Sequence, residues 1–258
     1  MTGKTDAHFK GWRESLDLPS TPEMRRRQLF IIESPPSLAS DRQFVRRLLR
    51  SLSGLTRLYS LARFQIIPEP FLLCIDQHLP DSGRVLDLGC GFGLFTLWFA
   101  QRRPECQFVG IDSSARRIRA ARRLAETLQV RNVTFECEDV VLCQTGSINA
   151  AYCIDLLHHI PPEASDRLLR RLFERLEPNG KVVIKDVTTR PRGMLYFTWV
   201  LDFLVSPKDT FYYREAALWC TLLSEIGFTS LYWHPLRNFL PYPHFLLVGS
   251  KPPLRLLY

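Results

Sequence analysis

The sequence predicts an α/β fold, with seven strands in a mostly parallel sheet and helices on both faces. A helical extension precedes the sheet, and an apolar insertion follows its fifth strand. Three observations carry this. The stretch Arg84 to Ala100 passes from a short apolar run, through three glycines, into helical periodicity at Leu94, Leu97, Trp98 and Phe99. Further strand-length apolar runs follow at Phe108–Asp112, Val133–Cys137, Ala150–Ile154 and Lys181–Ile184, interleaved with helical patterns as in a parallel sheet. A length of 258 residues, 46% hydrophobic and 23% charged, supplies one large core plus an extension.

Taken in order, residues 1–40 read as a tail with a short helix at 24–33, interrupted by Ser34-Pro-Pro-Ser37. Residues 41–80 read as a helical lid. Asp41 caps a helix running to about Phe64, with Phe44, Val45, Leu48, Leu49, Leu52, Leu55, Leu58 and Leu61 on one face and arginines largely on the other. Gly54 weakens its centre. Pro68 to Leu79 is a further short helix. Residues 81–258 are the sheet domain. Ser113 or Ser114 caps a helix from Ala115 to about Leu128, and Pro161 to Leu176 is the next. Residues 189–213 are an apolar, aromatic insertion. Glu215 to Ile226 is a helix ended by Gly227, and Phe228–Trp233 and Phe245–Gly249 are the last strands.

Charge is unevenly placed. The net charge is +8, and residues 25–63 hold nine arginines against Glu33 and Asp41, nearly the whole excess. The basic character therefore belongs to the extension. Seven cysteines without a C-x-x-C pair read as reduced packing residues of a cytoplasmic protein. The N-terminus lacks a signal-peptide core, and no apolar run reaches the roughly 18 residues a membrane span needs.

The glycine turn after the first strand, at Gly89, Gly91 and Gly93, lets backbone approach a ligand. A dinucleotide fingerprint would need glycine at Leu94, and Asp87 would repel a pyrophosphate. A carboxylate there suits a ligand carrying an ammonium and a sulfonium. Asp112, 21 residues after Gly91, stands where an acid accepts hydrogen bonds from a ribose diol.

This stretch resembles motif I of the class I S-adenosylmethionine (SAM) methyltransferases, a Rossmann-like fold. The resemblance covers about residues 83–187. It implies SAM as cofactor, held by Asp87, Gly89, Cys90, Gly91 and Gly93, with Asp112 and Ser113 at the ribose and Asp139 and Val140 at the adenine. Asp155-Leu-Leu-His-His159 resembles the segment after the fourth strand of the ubiquinone/menaquinone group, and Leu176-Glu-Pro-Asn-Gly180 the turn before the fifth, with Asn179 tolerating a left-handed backbone. Asp155 then borders the cofactor. His158 or His159 is the candidate catalytic base, with Tyr212 or Tyr213 next. In some quinone O-methyltransferases this segment binds a divalent ion, but His158 replaces the second acid, so no metal is assigned.

The expected function is methyl transfer from SAM to a small, lipophilic acceptor, at O or C. The Asn/Asp-Pro-Pro-Tyr/Phe tetrapeptide of exocyclic-amine methylation is absent, and so is a basic-aromatic RNA-binding appendage. An RNA-directed methyltransferase, or a non-catalytic nucleic-acid-binding module on the same scaffold, is the alternative that the arginine-rich extension keeps open. That extension also suggests peripheral membrane contact.

Overall fold

A computed structural model describes residues 39–143, 146–205 and 210–254. The expected tail and the helix at 24–33 lie outside them. Three helices come first, α1 (Ala39–Arg50), α2 (Gly54–Ile66) and α3 (Glu69–Asp76). The helix expected from Asp41 to Phe64 is thus two helices. Gly54 sits at φ 54°, a left-handed conformation that costs glycine nothing, and the chain turns there. Nor is the leucine stripe one buried face. Phe44 and Leu48 are buried, whereas Leu55, Leu58 and Leu61 are 85%, 65% and 41% exposed.

The sheet follows, with β1 (Gly83–Leu88), α4 (Leu94–Arg102), β2 (Cys106–Asp112), α5 (Ala115–Leu128), β3 (Val133–Cys137), β4 (Ile148–Ile154), α6 (Pro162–Arg175) and β5 (Leu176–Val187). Then come α7 (Arg192–Val205), inside the expected insertion, α8 (Ala216–Ile226), β6 (Thr229–Leu236) and β7 (His244–Ser250). The strand order is β3-β2-β1-β4-β5-β7-β6. The first five strands pair in parallel, and β7 runs antiparallel to both β5 and β6.

Local sequence accounts for these elements. In α5, Ile118, Ala121, Leu124, Ala125 and Leu128 recur at helical spacing and all are buried. Ser114 caps its start by accepting the Arg117 N–H. Asn179 takes φ 65° within the first turn of β5, as its tolerance of that region allows. One side of the sheet buries Leu86, Ile111, Ala151, Leu172, Trp219 and Phe245 in a single cluster. Leucine, isoleucine and phenylalanine side chains there each contribute roughly 1.5–3 kcal/mol by leaving water. Cys137 departs from the packing expected of it and is exposed.

The chain winds one way from β1 to β2 and β3, and the other way from β4 to β5. The crevice between the carboxyl ends of β1 and β4 is therefore the topological switch point, where open α/β sheets bind ligands.

Candidate functional site at the carboxyl edge of the sheet

The loop after β1 is pinned from beneath. Gly89 and Cys90 donate their N–H groups to the Ile111 carbonyl at 2.8 and 2.9 Å, and the Gly93 N–H bonds the Cys90 carbonyl at 2.9 Å. The three glycines have different reasons to be glycine. All have positive φ, but a Cβ at Gly89 would strike Leu156 and one at Gly93 would lie 2.6 Å from Phe135. A Cβ at Gly91 would meet nothing within 4 Å among the described residues. The open side of the loop is therefore at Gly91, where a ligand has room.

Gly93→Ala is expected to lower stability by about 1–3 kcal/mol in urea unfolding, from strained backbone and a displaced phenyl ring. Gly91→Ala should cost only the backbone part, about 1 kcal/mol. Its larger effect should be on titration with SAM.

Beside Gly91 stands Asp112, 7% exposed. Its Oδ2 accepts the Gly91 N–H at 3.0 Å and its Oδ1 the Ser114 N–H at 2.8 Å. One carboxylate thus orients both the glycine loop and the start of α5, and each oxygen keeps a lone pair for a diol. Asp87 is more enclosed, at 4% exposed. Its Oδ2 accepts hydroxyl bonds from Thr96 at 2.5 Å and Tyr152 at 2.9 Å. Burial pushes its carboxyl up to about 7, against those two donors. Asp139 is exposed and turns the chain by accepting the Val141 N–H at 2.9 Å. Val140 is buried in the core cluster, and Ser113 is exposed.

A polar network fills the edge beyond β4. Asp155, at φ 53°, accepts the Lys185 ammonium at 2.5 Å and Arg63 of α2 at 3.0 Å. Burial alone would raise the Asp155 carboxyl, but Lys185 and Arg63 outweigh it and hold it below the usual carboxylate range. Fully buried Lys185 also bonds His244 Nδ1 at 2.8 Å. Burial first, and Lys185 second, press His244 down to about 2, so it is a neutral acceptor. Asp155 is thus committed to an internal ion cluster.

Next to it, His158 is 3% exposed. Its Nδ1 lies 2.5 Å from Asp186 Oδ1, and Asp186 Oδ2 accepts the Leu157 N–H at 2.8 Å. The ring stacks on Tyr213 at 5.4 Å and 12°. Its Nε2 is buried and, among the described residues, has no hydrogen bond; it lies 3.5 Å from Asp202 of α7. Tyr213 in turn donates to Asp202 at 2.7 Å, and the Tyr212 N–H bonds the His158 carbonyl at 2.7 Å. Burial alone would lower the imidazole pKa, but Asp186, with Asp155 and Asp202, outweighs it and raises it. Half-buried His159 packs on His158 and edge-on to Phe211.

The structure thus gathers Gly89–Gly93, Asp112, Asp155, His158 and His159 along one edge. Sequence reasoning missed Asp186, Asp202, Lys185, His244 and the inward role of Arg63. Asp202 carried a signal, as the one acid in the apolar run Gly193–Val205.

A family described as a methyltransferase domain matches residues 85–180, the span from β1 to the turn that opens β5. Over that span the chain carries a methyltransferase domain, on the fold of the class I S-adenosylmethionine-dependent enzymes. A ubiquinone biosynthesis O-methyltransferase of Neisseria meningitidis is 29% identical over 142 residues, 53% of this chain and 58% of that protein. One from Coxiella burnetii is 26% identical over 177 residues, 64% of this chain and 74% of its own. This chain thus spans less than two thirds of the length of the Neisseria relative. In fold, the chain resembles the magnesium protoporphyrin IX methyltransferase of Synechocystis PCC 6803 with bound SAH. The TM-score is 0.57 at 19% identity, over 83% of this chain and 94% of that one. SAM is the cofactor of the family, and the residues at the switch point fit it. Gly91 leaves the loop open, and Asp112 beside it retains acceptor capacity.

Proposed function

We propose that this protein transfers a methyl group from SAM to a hydroxyl or an acidic carbon of a small, lipophilic acceptor, with His158 as the base. The observation that carries the reading is the buried, unbonded Nε2 of His158, whose Nδ1 is held by Asp186. The Asp186 carboxylate fixes the tautomer with the proton on Nδ1, which leaves Nε2 a lone pair. An acceptor hydroxyl placed against Nε2 gives up its proton there, and Asp186 stabilises the imidazolium that results. Bound SAM would supply an electrophilic methyl group whose bonding pair stays with sulfur.

The glycine loop and Asp112 hold the cofactor, with Asp87 at its amino end and Asp139 and Val140 toward the adenine. The segment 189–205, which includes α7, and residues 210–213 cap the acceptor. Their walls favour an apolar one, since Phe197, Phe211 and Tyr213 are partly buried there. The similarity to proteins named ubiquinone biosynthesis O-methyltransferases supports oxygen as the methylated atom.

Calorimetric titration with SAM tests the cofactor. Absence of heat at about 1 mM ligand would end the proposal, and Asp112→Ala should weaken binding at least roughly tenfold. His158→Gln should keep SAM affinity and lose roughly 10²-fold or more in turnover with labelled SAM and a panel of lipophilic phenols. His159→Gln, which leaves the Asp186 pair intact, should stay near the native rate.

A further inference from the structure

Helix α2 is apolar on both sides. Toward the protein it turns Ser60, fully buried, the ion-paired Arg63, and Tyr59 and Phe64, whose rings pack edge-on to Phe92 and Phe95. Toward solvent it turns Leu55, Leu58 and Leu61, three leucines at helical spacing with exposures of 85%, 65% and 41%. Single exposed leucines need no explanation, but three that make one continuous face do. Immediately ahead of it, the last turns of α1 present Arg46, Arg47 and Arg50, all exposed.

We infer that this face docks on an anionic phospholipid surface. An interfacial helix lays its apolar side into the headgroup boundary while flanking basic residues meet anionic lipid, and the leucine face beside an arginine cluster has both parts. The arginines are what a second copy of the chain would not accommodate, because paired copies would bring two clusters of like charge together. A second element agrees. In α7, Tyr196, Trp199 and Phe203 form an exposed stripe of stacked rings, aromatic side chains of the kind enriched at membrane interfaces. Both helices anchor at the same sheet edge, α2 through Arg63 to Asp155 and α7 through Asp202 beside His158.

The test is co-sedimentation of the full chain at low salt with phosphatidylcholine vesicles containing phosphatidylglycerol, and with phosphatidylcholine alone. The wild type should sediment with the anionic vesicles only. The triple variant Leu55→Gln/Leu58→Gln/Leu61→Gln and the triple variant Arg46→Gln/Arg47→Gln/Arg50→Gln should each bind roughly tenfold more weakly or less. Melting temperature and SAM affinity should stay native in both, since every altered side chain points outward. Failure of the wild type to sediment, or native vesicle binding by the leucine variant, overturns the inference. So does a wild-type dimer in size exclusion that the leucine variant converts to monomer. SAM affinity reads the cofactor site separately, so the two proposals fail independently.

Discussion

Asp186→Asn should lower turnover by roughly 10²–10⁴-fold while SAM affinity stays native. The amide can no longer accept at both oxygens. If its NH₂ faces His158 Nδ1, the imidazole carries its proton on Nε2, where the acceptor must deliver one, and the base is lost. If its NH₂ faces the Leu157 N–H, two donors oppose each other at a site where they now bond at 2.8 Å, costing about 1–3 kcal/mol. The pH profile separates a positioning role from simple damage. His158 titrates above the ordinary imidazole range because Asp186 outweighs its burial. Wild-type rate should therefore rise with pH through that raised value. Without the carboxylate the rising limb moves to lower pH even as the plateau falls. Stability follows the same sign. A histidine whose folded pKa is raised contributes stability that is full below its unfolded pKa and is lost as pH rises through the folded one. The variant's stability deficit should thus be largest in acid and shrink toward alkaline pH.

Asp155→Ala should be the most destabilising single change at the site, by about 3–5 kcal/mol in urea unfolding. It leaves the Lys185 ammonium and the Arg63 guanidinium buried without their shared carboxylate. Lys185→Met should cost less, because Asp155 keeps Arg63. The double variant should be more stable than the sum of the single losses, since the second change removes a charge the first left uncompensated. A purely additive double variant would show that the cluster does not act as a unit.

Much of the frame was legible because its signals are local. Strand β3 and helix α5 fall where the residues alone place them, since alternation and helical spacing separate cleanly there and Ser114 marks the boundary. The edge positions of Asp112, Asp155 and His158 followed from counting back to strand ends. What was not legible depends on which surfaces meet. The leucines of α2 repeat as regularly as those of α1, and only the folded chain turns one set inward and the other outward. Lys185, His244, Asp155 and Arg63 come from β5, β7, the turn after β4 and α2, and no spacing announces that the sheet brings them together. Asp186 carries no signal of its own, and only the folded β5 sets it against His158.

The ion pairs that tie the first helices to the sheet bear on how little of this chain can fold by itself. Buried Asp41 of α1 reaches Arg102 at 2.5 Å, Asp76 of α3 holds Arg102 and Arg103 at 3.3 and 2.8 Å, and Arg63 completes the Asp155 cluster. All four carboxylate–guanidinium contacts cross the line near residue 80 that separates the helical preamble from the sheet. A fragment trimmed to begin at β1 would keep every motif of its family and lose a partner for each of those charges. Its minimal autonomous unit therefore begins upstream of the motifs, no later than α1, and any graft or fusion of this scaffold should carry those helices along as part of its foundation.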